Sequence, residues 1–274
     1  MAGKPLARTF SGSNYYNASQ RETNLDLYPA NGNTVEFWFK KTGYNSVSES
    51  SKQVFLDIWN SASLGSSYGR FRIQCDFATT PHQFSLVYQS GTTDGFLDTS
   101  PATIGQNINL TSSTWNHYAF TFANQGSNLE AKLYVNGVYN STATTSSVGR
   151  ITGSLYGYLG AMTTGISSPV TGAAGYAKLS GSYDEFRFWK TKRTETDIGR
   201  YWFTQVGAGT NTDDANTNLG VYYKFNEGIV NTASVDTLDT KVLDYSGRIT
   251  NGNWTGYTTA VSYTHLTLPT ICSV

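Results

Sequence analysis

Charge, cysteine and long apolar runs are what this sequence of 274 residues has least of. Only 14% of its residues are charged, and 19 Lys and Arg balance 19 Asp and Glu. A chain without net charge offers no electrostatic footprint to a polyanion or an anionic lipid surface, which excludes nucleic acid as an expected partner and leaves neutral ones, sugars among them. Its two cysteines, Cys75 and Cys272, are too few for a disulfide scaffold. No stretch approaches the roughly 20 apolar residues of a spanning helix, so membrane insertion is not expected, and Met1 to Arg8 lack the apolar segment of an export signal. Cys/His metal spacing, a phosphate-cradling glycine loop and Gly-x-Ser-x-Gly are all missing.

What the sequence does have is aromatics and turn formers: 19 Tyr, 14 Phe, 6 Trp and 27 Gly. This composition suits pleated, half-buried strands joined by turns, and an all-β sandwich of this length buries its core as one domain. Alternation of period two marks the strands. Val35, Phe37 and Phe39 oppose Glu36, Trp38 and Lys40; Phe71, Ile73, Cys75 and Phe77 oppose Arg70, Arg72, Gln74 and Asp76. Phe84, Leu86 and Tyr88 form another apolar stripe, as do Tyr118, Phe120 and Phe122, then Leu129, Ala131, Leu133 and Val135. Cys75 reads as a core residue. Asn136-Gly137 between two such runs predicts a tight hairpin, because a type I′ turn needs positive φ at both positions. One short helix is predicted from Thr194, a capping hydroxyl three residues before Asp197, with Ile198, Tyr201 and Trp202 on one stripe. Residues 207–218 read as an exposed loop, and a strand carrying Val221, Tyr223 and Phe225 follows.

With these strands placed, five short motifs fall in a familiar order. Phe10-Ser-Gly-Ser-Asn-Tyr15 resembles F-D-G-x-x-D-Y, Thr34-Val-Glu-Phe-Trp-Phe-Lys40 resembles T-I-S-F-W-V-K, and Trp115-Asn-His-Tyr-Ala-Phe-Thr-Phe122 resembles W-H-H-V-A-V-T-Y. Leu133-Tyr-Val-Asn-Gly137 is similar to L-Y-V-D-G, and Gly181-Ser-Tyr-Asp-Glu-Phe-Arg-Phe-Trp189 to G-x-I-D-E-V-R-I-W. The set resembles laminin-G-like, concanavalin A-like jelly-roll domains and covers about residues 10–201. That resemblance implies a two-sheet antiparallel sandwich of about 12 to 14 strands with one short helix. The domain is expected to span residues 1–260, of which 219–260 either complete the sandwich or begin a neighbouring module. Residues 261–274 resemble translated sequencing-adapter read-through and are expected to lie outside the fold. In texture the chain also resembles jelly-roll proteins of marine tailed phages, which implies a virion-surface or extracellular location.

Chemistry on this fold has several candidates. The paired carboxylates of a glycoside hydrolase, E-x-D-x-x-E on one strand, are not found; Asp184-Glu185 is an adjacent pair expected to face opposite ways, and Asp213-Asp214 lies in a loop. The resemblance implies a structural calcium held by backbone carbonyls and one late-strand Asp, which is Asp184 here; the alternative is that Asp184 accepts from backbone N–H groups or pairs with Arg187 or Arg72. Exposed aromatics beside turns suit sugar rings, which selects Tyr15, Tyr16, Trp59, Tyr156 and Tyr158 as ligand-binding candidates. Trp38 also alternates outward, but its family position packs inside. The expected function is a non-catalytic module recognising a glycan or a protein surface; its rivals are a virion decoration without a ligand and a glycoside hydrolase.

Overall fold

The computed structural model describes residues 4–8, 24–164, 176–206, 218–225, 241–247 and 251–253. In the first sheet, β1 (Lys4–Arg8), β11 (Leu155–Leu159), β3 (Lys52–Trp59), β4 (Gly69–Asp76), β5 (Phe84–Ser90) and β6 (Asp94–Phe96) lie side by side, and β7 (Ala102–Ile104) also pairs with β5. The second sheet runs β10 (Val138–Ser146), β9 (Asn128–Val135), β8 (Asn116–Gln125), β2 (Asn33–Lys40), β12 (Ser182–Trp189), β13 (Leu219–Tyr223). A two-stranded ribbon of β14 (Lys241–Val242) and β15 (Gly252–Asn253) and the helix α1 (Glu195–Tyr201) complete the described elements. The predicted jelly-roll sandwich is the observed fold.

The inward stripes read from the sequence meet between the sheets. Phe37 of β2 packs on Phe55 of β3 with ring centroids 5.4 Å apart and on Tyr183 of β12 at 4.9 Å, while Phe84 of β5 meets Phe120 of β8 edge-on at 4.8 Å. Each fully buried ring contributes about 1.5–3 kcal/mol through area removed from water, and aromatic pairing adds about 0.5–1.5 kcal/mol. Cys75 is fully buried in this core, and burial pushes its thiol up to about 12, so it is an inert apolar residue as the alternation implied. Between the sheets the Tyr88 hydroxyl donates to Asn33 Oδ1 at 2.7 Å.

The hairpin and helix form where the sequence places them. Asn136 and Gly137 have φ of 50° and 80°, and β9 passes directly into β10. Thr194 caps α1 by accepting from the Asp197 amide, and Asp197 accepts from the Thr194 amide in return. Ile198 is the buried contact of this helix, packed on Ala119 and Tyr134. The hairpin and the helix touch: a Cβ on Gly137 would lie 2.3 Å from Trp202 Cδ1.

One expectation from strict alternation fails. Between Asp184 and Arg187 the β12–β2 register shifts by a bulge, and Glu185 takes φ of 50°. The extra residue turns Glu185 outward beside Asp184, so the two carboxylates share the outer face of the second sheet. Their alternating spacing held only for an unbroken strand.

Candidate functional site

Three of the aromatic candidates converge. Pairing of β11 with β3 sets Tyr156 opposite Trp59 and Tyr158 opposite Asp57, which puts all three rings on the outer face of the first sheet. Leu155, Gly157 and Leu159 take the inward positions, so Tyr156 and Tyr158 stand half-buried at the surface. Trp59 is half-buried as well, and its Nε1 donates to the Ala62 carbonyl at 3.1 Å, which fixes the indole plane. Tyr15 and Tyr16 lie outside the described residues.

Beside this aromatic rim lies a buried ionic network that composition did not announce. Register carries the outer row from Trp59 to Arg70 and Gln89, and from Asp57 to Arg72. Arg70 donates from Nε and Nη2 to the two oxygens of Asp57 at 2.9 and 2.6 Å, and both side chains are fully buried. Asp57 Oδ2 also accepts from the Thr163 amide at 2.7 Å and its hydroxyl at 2.8 Å, while Arg70 Nη1 donates to the Thr164 hydroxyl at 3.0 Å. The segment after β11 is therefore strapped across the sheet face. Arg72 binds the two oxygens of Asp98, whose amide donates to Gln89 Oε1 at 2.9 Å. Burial pushes the Asp57 carboxyl up, but Arg70, Arg72 and the Thr163 amide outweigh it and hold the group below the usual carboxylate range. Asp98 is the partly open member, with 16% of its side chain exposed.

The second sheet carries a comparable network on its own outer face. Glu36 Oε1 accepts from Arg193 Nη1 at 2.6 Å, and Oε2 lies 3.5 Å from His117 Nε2 and 3.6 Å from Arg187 Nη1. Glu185 accepts from Arg187 Nη2 at 3.0 Å, from Gln205 at 3.2 Å and from the Tyr222 hydroxyl. Trp202, after α1, covers Trp38 with ring centroids 5.4 Å apart, which buries Trp38 as its family position implied. Burial lowers the His117 imidazole below its ordinary range despite the nearby Glu36. This face is closed.

Asp184 stands opposite Trp38 at the edge of the closed face, is 8% exposed, and accepts the Glu185 amide on Oδ1 at 2.9 Å. Among the described residues no group of three His, Cys, Asp or Glu side chains is placed to hold a metal ion. The carboxylates weighed for hydrolysis are accounted for similarly: Glu185 is held by Arg187, and Asp213 and Asp214 lie outside the described residues. Asp57, Arg70, Arg72 and Asp98 were missed. The available signal was Arg70 and Arg72 pointing outward from one strand while Asp57 pointed outward from the next.

Fold and face together define a two-sheet antiparallel jelly-roll sandwich with an aromatic rim on one outer sheet face. The chain belongs to the concanavalin A-like lectin/glucanases superfamily, whose family model matches residues 10–199. No curated protein matches it in sequence. Among solved structures, the SAP-like pentraxin from Limulus polyphemus is 14% identical over 75% of this chain and 84% of that one, with a TM-score of 0.45. The CBM40 of the Ruminococcus gnavus IT-sialidase, bound to α2,3-sialyllactose, is 16% identical over 62% and 82%, with a TM-score of 0.39. Full-length tailspike protein 2 of the Escherichia coli O157:H7 bacteriophage CAB120 is 14% identical over 75% of this chain and 25% of the tailspike, with a TM-score of 0.46. At these scores the likenesses carry no weight for function.

Proposed function

We propose that this chain is a non-catalytic module that binds a glycan on the outer face of its first sheet, at Trp59, Tyr156 and Tyr158. The supporting observation is the convergence of three half-exposed rings through the β11–β3 register, on a sheet whose backbone fixes their spacing. Sugar rings bury their apolar faces on such rings, and the nearby hydroxyls and carboxylates satisfy their polar edges. Catalysis is disfavoured by the same network. A glycosidase acid needs a raised pKa, whereas Asp57 is lowered and locked to Arg70.

A glycan array followed by titration calorimetry tests this reading. Alanine at Trp59, Tyr156 or Tyr158 is expected to weaken binding about tenfold or more, equivalent to ~1.4 kcal/mol, without loss of folding. Incubation with β-glucans, agars or carrageenans is expected to release no reducing sugar. Binding that survives all three substitutions sinks the site, and reproducible hydrolysis sinks the non-catalytic reading. The setting we propose, a virion surface or the cell exterior, rests on the texture of the sequence; immunogold labelling of particles tests it.

A further inference from the structure

We propose that Asp98 is a built-in stand-in for a ligand carboxylate, and that Arg72, with Lys52 and Gln74 beside it, forms the subsite that takes a carboxylate-bearing sugar. This rests on the glycan reading above and narrows its ligand class. Three observations carry it. First, Arg72 is fully buried and both of its terminal nitrogens serve Asp98, yet its Nε has no hydrogen-bond partner among the described residues. A buried guanidinium donor without an acceptor is costly, so the cluster is short of one acceptor. Two positions along β4 on the same face, Gln74 is 4% exposed and its Oε1 likewise lacks a partner, an acceptor suited to a sugar hydroxyl.

Second, the charges of the cluster balance only while an anion sits on Arg72. Arg70, Arg72 and Lys52 face Asp57, Asp98 and Asp76, of which Asp76 stands opposite Lys52 in the register and Asp57 is committed to Arg70 and Thr163, so a displaced Asp98 must be replaced by another anion. Burial first, and then Arg72, hold the Lys52 ammonium below its ordinary range although Asp98 and Asp76 oppose the shift. Third, of the two carboxylates bound to the arginines, Asp98 is the one that reaches solvent, at 16% exposed, and it sits in a tight turn where Leu97 and Ser100 bridge. The group already seated on Arg72 is a planar carboxylate, so the incoming group that matches it is another carboxylate. Arg72 lies two strand spacings from Tyr158, about 10 Å, with Thr163 and Thr164 between them. The ligand that uses both subsites is therefore an oligosaccharide spanning the threonine bridge.

The test titrates the purified chain with trigalacturonate, 3′-sialyllactose and an alginate trimer, each against its methyl ester, for wild type and for Asp98→Asn. At least one acid form is expected to bind about tenfold more tightly than its ester, with the preference falling as salt is raised. Asp98→Asn removes the competing charge while keeping the shape, and tightens the acid form several-fold. Equal binding of acids and esters overturns the proposal and leaves the glycan reading standing. Weaker acid binding in a folded Asp98→Asn chain also overturns it, because Asp98 then only supports the site. If Asp98→Asn does not fold, the acid-to-ester ratio and salt dependence of wild type decide alone. Silence of every acid and ester, with no neutral glycan bound on the array, takes both readings down together.

Discussion

The outer faces of the two sheets solve one physical problem in two ways. Each buries a carboxylate between arginines: Asp57 between Arg70 and Arg72, Glu36 between Arg193 and Arg187. The roofs differ. Over Glu36 the chain lays α1 with Ile198 and Trp202, apolar groups that seal Trp38 and His117 from water. Over Asp57 it lays Thr163 and Thr164, hydrogen-bonded to the charges beneath, and the half-exposed rings of Trp59, Tyr156 and Tyr158 stand alongside. A buried ion pair is weak evidence for net stabilisation, but it ties a connecting segment to a sheet with directional bonds. The apolar roof makes a structural face, and the polar roof belongs to the face proposed above to bind a ligand.

Breaking the closed face should have the largest effect. Glu36→Gln leaves Arg193 and Arg187 without their shared carboxylate in a dry site, with an expected cost of about 3–5 kcal/mol in urea melts. Glycan affinity, measured on the folded fraction, should be unchanged. A loss of affinity without loss of stability would mean that the two faces have been assigned the wrong way round.

Next in size is Gly137→Val. A β-branched residue at φ of 80° is strained, and its Cβ would press on Trp202, part of the closed roof. The expected cost is about 2–4 kcal/mol from backbone strain and overpacking. For a domain of this size each kcal/mol lowers Tm by roughly 2–4 °C. An unchanged melting temperature would contradict the hairpin's contact with the roof.

Acid separates the faces by pH. Burial lowers the His117 imidazole in the folded chain, so below its ordinary value of 6.5 the unfolded chain binds more protons and stability begins to fall. Glu36 and Asp57 are both held ionised in the fold, against burial, by their arginines. Their contributions are fully present above the ordinary values of 4.5 and 3.8 and are lost as pH falls further. Stability should therefore decline gently from about pH 6.5 and steeply below about 4.5. His117→Gln should flatten the upper part of that curve alone. A decline in the variant that matches wild type between those values would remove His117 from the account.

The closed face was more legible in the sequence than the open one, for a physical reason. Strand alternation and the Thr194 cap are local signals, so the stripes, Asn136-Gly137 and α1 could be read from neighbours in the chain, whereas the burial of Trp38 followed from its family position and against its alternation. Trp59 and Tyr156 meet only because β11 returns nearly 100 residues later to pair with β3, and no local pattern encodes that register. Arg70 and Arg72 alternate outward and so read as solvated, yet a distant loop covers them. The bulge at Glu185 was equally invisible, since one inserted residue reverses a facing without changing composition.

The smallest expected effect belongs to Asp184, at the margin of the closed face. The proposed calcium would join this single carboxylate to backbone carbonyls, a weak donor set, and would stabilise the fold by mass action according to the ratio of free calcium to its Kd. Chelator should then lower Tm by a few degrees at most, given roughly 2–4 °C per kcal/mol. The position of Oδ1 on the Glu185 amide complicates a simple deletion, because Asp184→Ala removes that acceptor and costs about 1–2 kcal/mol with or without metal. Asp184→Asn keeps an oxygen for the amide and removes only the charge. It should abolish most of the chelator response while barely changing Tm in chelator, and Asp213→Asn should leave the response intact. If wild type melts at one temperature with calcium and with chelator, the metal proposal fails. Asp184 is then what its geometry already makes it, the acceptor that holds the first amide of the bulge.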